Sequence, residues 1–536
     1  MAPGKDIKQY LTNHFGTGRE EVHYNIYILA LTLLAIGLPV SRFLMSVSMF
    51  VLSINWIAEG RLAAKIKILW SRKSLLFMLS VYLLHIAGLA YSSDLAYGIH
   101  DLKVKLPYLV ILLVAGTSSE IPLSRLKSIL KYYILSVFVA TLIITVIYLL
   151  TRESLHDSRN ISVFISHIRF SLMIVLAVLI ILYALLFNKF SLNKREKTVL
   201  SLLAVWLSSF LFVLQSFTGI WIFILTVSLL MIIYVIKQKK PPLTIAATVI
   251  FLAVAYLIGF TVYKAFSNFY PPPIQHIEKL DKYTVNGNPY YHDSNPNLIE
   301  NRNYVYQYLC VDELRREWNR HSTINFDSLD LKGQQISQTL IRYMTSKGLR
   351  KDSSGIAALS SHDIKMIENG FSNHIFNKKF SIYPRIYQFF WEADVYMKTG
   401  ISGGHSLAQR IEYLKNGIEI IKRNFWFGTG NGDVKMEYDK QYRESGSKLD
   451  ERWRLRAHNQ FVTFFISFGI TGFFWIIFSF AFAVFYERKH NNLLTLMFLL
   501  VAFLSMFNED SLETMAGIVF FSLFYALFVF GNKKTG

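Results

Sequence analysis

Apolar runs of roughly 20 residues, separated by short polar connections, fill residues 1–264 and 460–536, and a long polar stretch divides them. The runs lie at 24–41, 42–58, 74–92, 104–118, 129–150, 162–187, 198–214, 218–236, 242–264, 460–486, 492–507 and 513–531. Each approaches the length a helix needs to cross a hydrocarbon core, about 20 residues at ~1.5 Å each. The pattern predicts an all-α polytopic membrane protein of about 12 transmembrane helices. About nine spans form an N-terminal bundle over 1–264, and about three C-terminal helices follow over 460–536. Ser41 and Arg42 are the only break between the first two runs, which one bent hairpin would also satisfy.

Lys and Arg load alternate connections: Arg61 to Lys73, Arg125 to Lys131, Lys189 to Lys197, Lys237 to Lys240, Arg488 with Lys489, and the tail Lys533 with Lys534. The intervening short connections are poorer in these residues, Arg152 and Arg159 being the main exceptions, and the last of them is the acidic Asn508-Glu509-Asp510-Ser511. By the positive-inside rule both termini are cytoplasmic and the segment 265–459 lies outside. The first apolar run reads as a retained span, because no short apolar region with a small-residue cleavage site precedes it. Segment 265–459 opens on Pro271-Pro272-Pro273 and is rich in Asn, Asp, Tyr and charge, so it is expected to be a solvated, mainly helical loop domain. Within it, Leu407, Ile411, Leu414, Ile418 and Ile421 fall at helical spacing, and the glycine-rich run 428–433 stops that helix.

Composition sharpens this in two places. The net charge of +20 would fit a nucleic-acid partner, but the surplus sits in the short connections, so membrane lipids and no nucleic acid are expected. The single cysteine, Cys310, excludes an intrachain disulfide, and no paired metal-ligand spacing is present, so no metal or other cofactor is expected.

Charge inside an apolar run is costly, about 2.5–3.5 kcal/mol on insertion scales, and marks candidate chemistry. Arg169 lies about eight residues into the sixth run, roughly 12 Å below its outer end at ~1.5 Å per residue. It reads either as a snorkelling side chain or as an anion ligand. Lys103 and Lys105 open the fourth run, where interfacial anchoring is the simpler role. The cluster Arg452-Trp453-Arg454-Leu455-Arg456-Ala457-His458-Asn459 precedes the tenth run. A helix there would set Arg454 and His458 on one face. The cluster is either a basic stripe beside lipid head groups or a diphosphate clamp with a histidine general base. Arg410 stands on the helix beginning near Leu407.

Four stretches together resemble the O-antigen ligase-related family, which includes O-antigen polymerases and protein O-oligosaccharyltransferases. They are His405-Ser406-Leu407-Ala408-Gln409-Arg410, the turn Gly428-Thr429-Gly430-Asn431-Gly432-Asp433, Arg456-Ala457-His458-Asn459-Gln460 running into Phe468-Gly469-Ile470-Thr471-Gly472, and Glu509-Asp510-Ser511-Leu512-Glu513. The resemblance implies a GT-C-like, metal-independent glycan transferase at the periplasmic face of the bacterial inner membrane. Its donor would be an undecaprenyl-diphosphate-linked glycan and its acceptor a hydroxyl of a lipid, glycan or protein. Ligase activity is expected first, polymerase or protein glycosylation second, and a lipid-linked glycan transporter is the competing class. The family's catalytic histidine carries over onto His458 and its loop arginine onto Arg410, with Arg169, Arg456 and Lys105 as further diphosphate ligands. One position departs: in Gln215-Ser216-Phe217-Thr218-Gly219, Phe217 stands where the family commonly has arginine, and Arg169 is the expected substitute.

Overall fold

The computed structural model describes residues 18–151, 164–188, 190–239, 241–269, 280–295, 298–377, 383–400, 402 and 406–531. They are mostly helical, and a helix lies on each of the twelve apolar runs. Six are long and apolar enough to cross a membrane unaided: Arg19–Val40, Leu123–Leu150, His167–Phe187, Lys194–Leu214, Phe217–Gln238 and Gln460–Tyr486. Lys73–Leu89, Leu493–Asn508 and Met515–Phe530 are apolar but shorter. At Ser41 the first two helices separate: the residue is extended and its Oγ accepts the Leu44 N–H at 3.1 Å, so the second helix is capped afresh. After Arg42–Ala58 the chain bends by 107° into Leu62–Ser71, with Gly60 and Arg61 both left-handed at the corner.

The chain divides into two compact units, 1–248 with 402–536 and 249–401. The first unit therefore includes residues 402–459 of the polar stretch. The reason is a shared apolar core: Tyr413, Ile420, Val434, Tyr438, Tyr442, Leu449 and Ala457 pack with Ile466 of Gln460–Tyr486. In the same unit Lys73–Leu89 packs on Leu95–Thr117 and Gln460–Tyr486, and Met515–Tyr525 packs on Leu95–Thr117. The C-terminal helices are thus built into the N-terminal bundle, and Met515–Phe530 is almost wholly buried.

Contacts between connections keep to two sets. Arg72 meets Glu487, Gly116 and Phe530, Ile121 meets Gly531, and Lys127 meets Phe190. Ser93 meets Asp433, Ser171 meets Ser216, and Arg456 meets Asp510. These pairs sort into one set at the basic connections and one away from them, as alternate crossing requires.

The second unit, 249–401, has its own core around Leu314, Trp318, Ile336, Leu340, Met344 and Ile367. A two-residue hairpin, Ile299–Glu300 with Asn303–Tyr304, and the helices Val311–His321, Ile336–Ser346 and Ser361–Glu368 frame it. Buried Glu313 accepts from Thr284 Oγ1 at 2.6 Å, Asn288 Nδ2 at 2.7 Å and the Ser353 N–H at 3.0 Å. Burial opposes its ionisation, but these donors win and hold the carboxyl at about 2. Cys310 is buried, its N–H spent on the Lys351 carbonyl at 2.8 Å.

Candidate active site

The site is built around an interruption in the helix Gln460–Tyr486. Gly469 has φ +62°, ψ −169°, and a β-carbon there would lie 2.3 Å from the Trp426 carbonyl carbon. Only glycine fits that backbone and that approach. The break frees carbonyls that the glycine-rich turn uses: Thr429 N–H donates to Ile466 O at 2.8 Å and Gly430 N–H to Ser467 O at 2.9 Å. In return Ile470 N–H donates to Phe425 O at 2.8 Å. At the far side of the turn Asp433 accepts the Ser93 and Asp94 N–H groups at 2.8 Å, and Gly432 N–H donates to Ser92 Oγ at 3.1 Å. With these amides committed to protein partners, the turn is a helix stop and a clamp, and not an anion nest.

The helix before it spans Ser406–Arg423, as its periodicity predicts. Ala408, Tyr413, Gly417 and Ile420 are buried, whereas Ile411, Leu414 and Ile418 are exposed. Close packing decides this: a β-carbon at Gly417 would lie 2.5 Å from the Tyr438 hydroxyl.

Three tyrosines then fix the approach to His458. Tyr413 donates to Trp453 O at 2.7 Å, Tyr442 donates to Leu455 O, and Tyr438 accepts the Ala457 N–H at 3.1 Å. The helix condition for Arg454 and His458 is therefore not met: 454–459 is non-helical, and Arg454 turns to Leu449 O at 3.1 Å. Asn459 caps the following helix by accepting Val462 N–H at 3.1 Å and ties it to Phe507 O at 3.0 Å.

Against this frame the acidic connection 509–513 gathers cations from four distant segments. Arg410 Nη2 lies 2.8 Å from Glu509 Oε1, and its Nη1 donates to Asn508 O at 2.6 Å. Arg456 Nε lies 2.8 Å from Asp510 Oδ2 and its Nη1 3.1 Å from Glu513 Oε2. Lys105 is buried between Asp101 and Glu513, 2.8 Å from Glu513 Oε2. Gln460 Nε2 donates to Glu513 Oε1 at 2.8 Å, and Asn431 Nδ2 donates to Asp101 Oδ2 at 3.1 Å. Arg169 stands further off, its Nη2 3.8 Å from Asp510 Oδ1. The helix carrying it begins at His167, so Arg169 occupies the first turn and not a position two turns deep. His458 Nδ1 lies 3.9 Å from Glu509 Oε2 and 3.8 Å from Asp510 Oδ1, too far to bond either.

Lys105, Arg169, Arg410 and Arg456 thus face Asp101, Glu509, Asp510 and Glu513, four cations against four carboxylates. Burial raises Asp510, but His458 and Arg456 outweigh it, so the carboxyl stays below its ordinary value. Glu513 is likewise raised by burial and pulled well below the ordinary carboxylate range by Lys105 and Arg456. The same carboxylates raise Arg456 against its own burial. His458 Nδ1, Arg169 Nε and Asn431 Oδ1 are buried without a hydrogen-bond partner. Lys103 is exposed and takes no part.

The expectation of no metal rested on the absence of a ligand cluster, and that reasoning needs correction. Among the described residues, His458, Glu509 and Asp510 bring potential ligand atoms within 4.8 Å of one another. Folding assembled what sequence spacing did not show. Both carboxylates already neutralise guanidinium groups, so a dication would meet little net negative charge.

Phe217 begins the helix Phe217–Gln238 and is exposed. Ser216, its neighbour, lies 3.0 Å from Ser171 Oγ, two residues beyond Arg169. The position where the family commonly carries arginine thus lies beside the helix that bears Arg169.

Residues 362–477 match the family model described as O-Antigen ligase. The match agrees with the resemblance read from the motifs and takes in Arg410, the 428–433 turn, Arg456, His458 and Gly469. Lys105, Arg169 and 509–513 lie outside it and reach the site through the fold. No curated protein matches the chain.

Proposed function

We propose that this chain is an envelope glycan transferase that moves an undecaprenyl-diphosphate-linked glycan onto an acceptor hydroxyl at the periplasmic face of the inner membrane, without a metal. One observation carries the reading: Arg169, Arg410 and the neighbouring pair Arg456 and His458, three places remote from one another in sequence, converge on the connection 509–513. The two-set sorting of connection contacts supports about 12 crossings with 265–459 outside.

In this reading His458 takes the proton of the acceptor hydroxyl as the oxygen attacks the anomeric carbon. The bond from that carbon to the diphosphate oxygen breaks, with inversion, and undecaprenyl diphosphate leaves. Charge on the leaving group grows in the transition state, and fixed guanidinium groups are suited to stabilise it. Before the donor arrives, Glu509 and Asp510 occupy Arg410 and Arg456. The diphosphate displaces them, and the released carboxylates, already within 4 Å of His458 Nδ1, stabilise the imidazolium formed on proton uptake. Lys105 is enclosed by Asp101 and Glu513, so its part is to hold Glu513 and through it Arg456.

Ligase activity is the first form of this reading; polymerase and protein glycosylation differ only in the acceptor. The deciding experiment gives purified protein a lipid-diphosphate-linked glycan with EDTA present. Transfer to an added acceptor is expected. Counterflow of the lipid-linked glycan in liposomes without transfer would make the chain a transporter instead, and transfer that needs a divalent ion would overturn the arginine mechanism.

A further inference from the structure

The unit 249–401 bears an open cavity of about 480 Å³, with Lys264 and Arg302 exposed at it, that glycan transfer, as proposed above, does not use. Three elements bring basic groups to its lining: Lys264 from the helix Pro241–Phe269, Arg302 from the hairpin turn, and His374 from the 3-10 turn His374–Asn377. Among the described residues no carboxylate lines it. Among the described residues neither Lys264 nor Arg302 enters an ion pair, and Glu300, the nearest carboxylate along the chain, is committed to Arg342 at 2.8 Å and Asn373 at 3.1 Å. The contrast with the cluster at 509–513 is one of charge balance: there each cation faces an acid, and here, among the described residues, Lys264 and Arg302 face none.

The backbone adds a second observation. Asn301 and Arg302 have φ +48° and +75°, so both central residues of the two-residue hairpin turn are left-handed. Such turns favour Asn followed by Gly, and an arginine in the second place is strained. Asn301 is locked by donating to Ser346 O at 2.9 Å and accepting from the Tyr387 hydroxyl at 2.9 Å. The fold therefore keeps a strained arginine on the cavity where a glycine would sit without strain.

We propose that this cavity binds a phosphate-type anion, with Lys264 and Arg302 as its charge partners and His374 as a further hydrogen-bonding partner. The volume exceeds what an inorganic ion fills, and Tyr383 in the lining offers a ring for the carbon atoms of the group that bears the phosphate. Two sources carry this chemistry: the head group of an anionic phospholipid, and a phosphate on a soluble or glycan ligand.

The test uses the full chain in nanodiscs and reads hydrogen–deuterium exchange in 298–304 and 371–377. Three conditions are compared: phosphatidylcholine discs, the same discs with inorganic phosphate against chloride at equal ionic strength, and discs containing phosphatidylglycerol. Slower exchange with phosphate or with phosphatidylglycerol is expected, and whichever acts identifies the source. Lys264→Gln should move the midpoint about tenfold or more, the worth of a charge-assisted bond. Arg302→Gly should do the same while slowing basal exchange, because it relieves the turn. Protection in neither condition, equal protection by chloride, or wild-type midpoints in both variants would overturn the proposal.

Discussion

Arg72 and Arg169 each reach a carboxylate on a distant segment, and they differ in everything else that holds them. Arg72, beside the C-terminal end of Gln460–Tyr486, bonds Glu487 at 2.7 Å, Gly116 O at 3.0 Å and Phe530 O at 3.4 Å, and stacks 4.7 Å over the Phe530 ring. Ser74 adds a further bond to the same Glu487. Arg169 approaches Asp510 only to 3.8 Å and keeps a buried Nε without a partner, as His458 keeps its Nδ1. Buried polar groups are normally satisfied, so the first arrangement is a finished structural staple and the second has capacity left for a ligand. The comparison teaches that ion pairs in this bundle cannot be ranked by count; what remains unbonded around them separates function from support.

The largest expected effects split along that line. His458→Ala should lower turnover by about 10²–10⁴, the usual worth of a general base, with the melting temperature nearly unchanged. Arg72→Ala should instead destabilise, by about 3–5 kcal/mol as expected when one partner of a buried pair is removed, while any folded fraction turns over normally. Normal stability in Arg72→Ala together with lost turnover would erase the distinction.

Next in size, Arg169→Ala should weaken both donor binding and turnover by about 10–100-fold, because a charge-assisted contact is lost. Arg169→Lys should recover only part, lacking the forked geometry. Adding Phe217→Arg to Arg169→Ala should restore activity, since the start of Phe217–Gln238 adjoins the helix carrying Arg169. Full activity in Arg169→Ala alone would reduce that residue to an anchor.

Glu509→Gln should have a smaller and opposite effect on binding. With the competing carboxylate neutralised, Arg410 is freer for diphosphate, so donor affinity should rise by about 2–5-fold while turnover falls. Titration of immobilised protein with donor reads the first and single-turnover kinetics the second. Weaker donor binding would mean that the acid helps to hold the donor site together.

The smallest effect concerns the other unit and leaves transfer untouched. Burial pulls Lys351 down to about 8 against a weaker opposing pull from Asp352. Between about 8 and ~10.4 the unfolded chain then binds more protons than the folded one, so stability rises with pH across that window. Protection factors in 311–321, that is, exchange measured against the intrinsic amide rate at each pH, should rise over that range in the unmutated protein and show no such rise in Lys351→Met.

Much of the fold was legible because membrane crossing imposes a crude and strong pattern: apolar runs with a length floor and basic connections in alternation. The helix 406–423 was legible for the same reason, yet its inward face was not. Periodicity showed the helix but did not say which face is buried: Gly417 packs against Tyr438, and Ile411, Leu414 and Ile418 are exposed. His458, Arg410, Arg169 and Arg456 were named by charge at unusual places and by motif resemblance. Their carboxylate partners were harder to assign. Glu509, Asp510 and Glu513 stood within a motif but had no role without the arginines opposite them, and nothing near Asp101 in the sequence points to Asn431. Pairings over such separations are decided by packing, which leaves no local signature.

In the function proposed above, the cluster at 509–513 transfers glycan with His458 as base. The most direct measurement is release of undecaprenyl diphosphate from a glycan-charged donor by purified protein in nanodiscs, with acceptor and EDTA present, alongside equilibrium binding of the same donor. Release by the unmutated protein is expected, and for His458→Ala a loss of about 10²–10⁴ in rate with donor affinity kept. Undiminished release by a folded His458→Ala protein would contradict it.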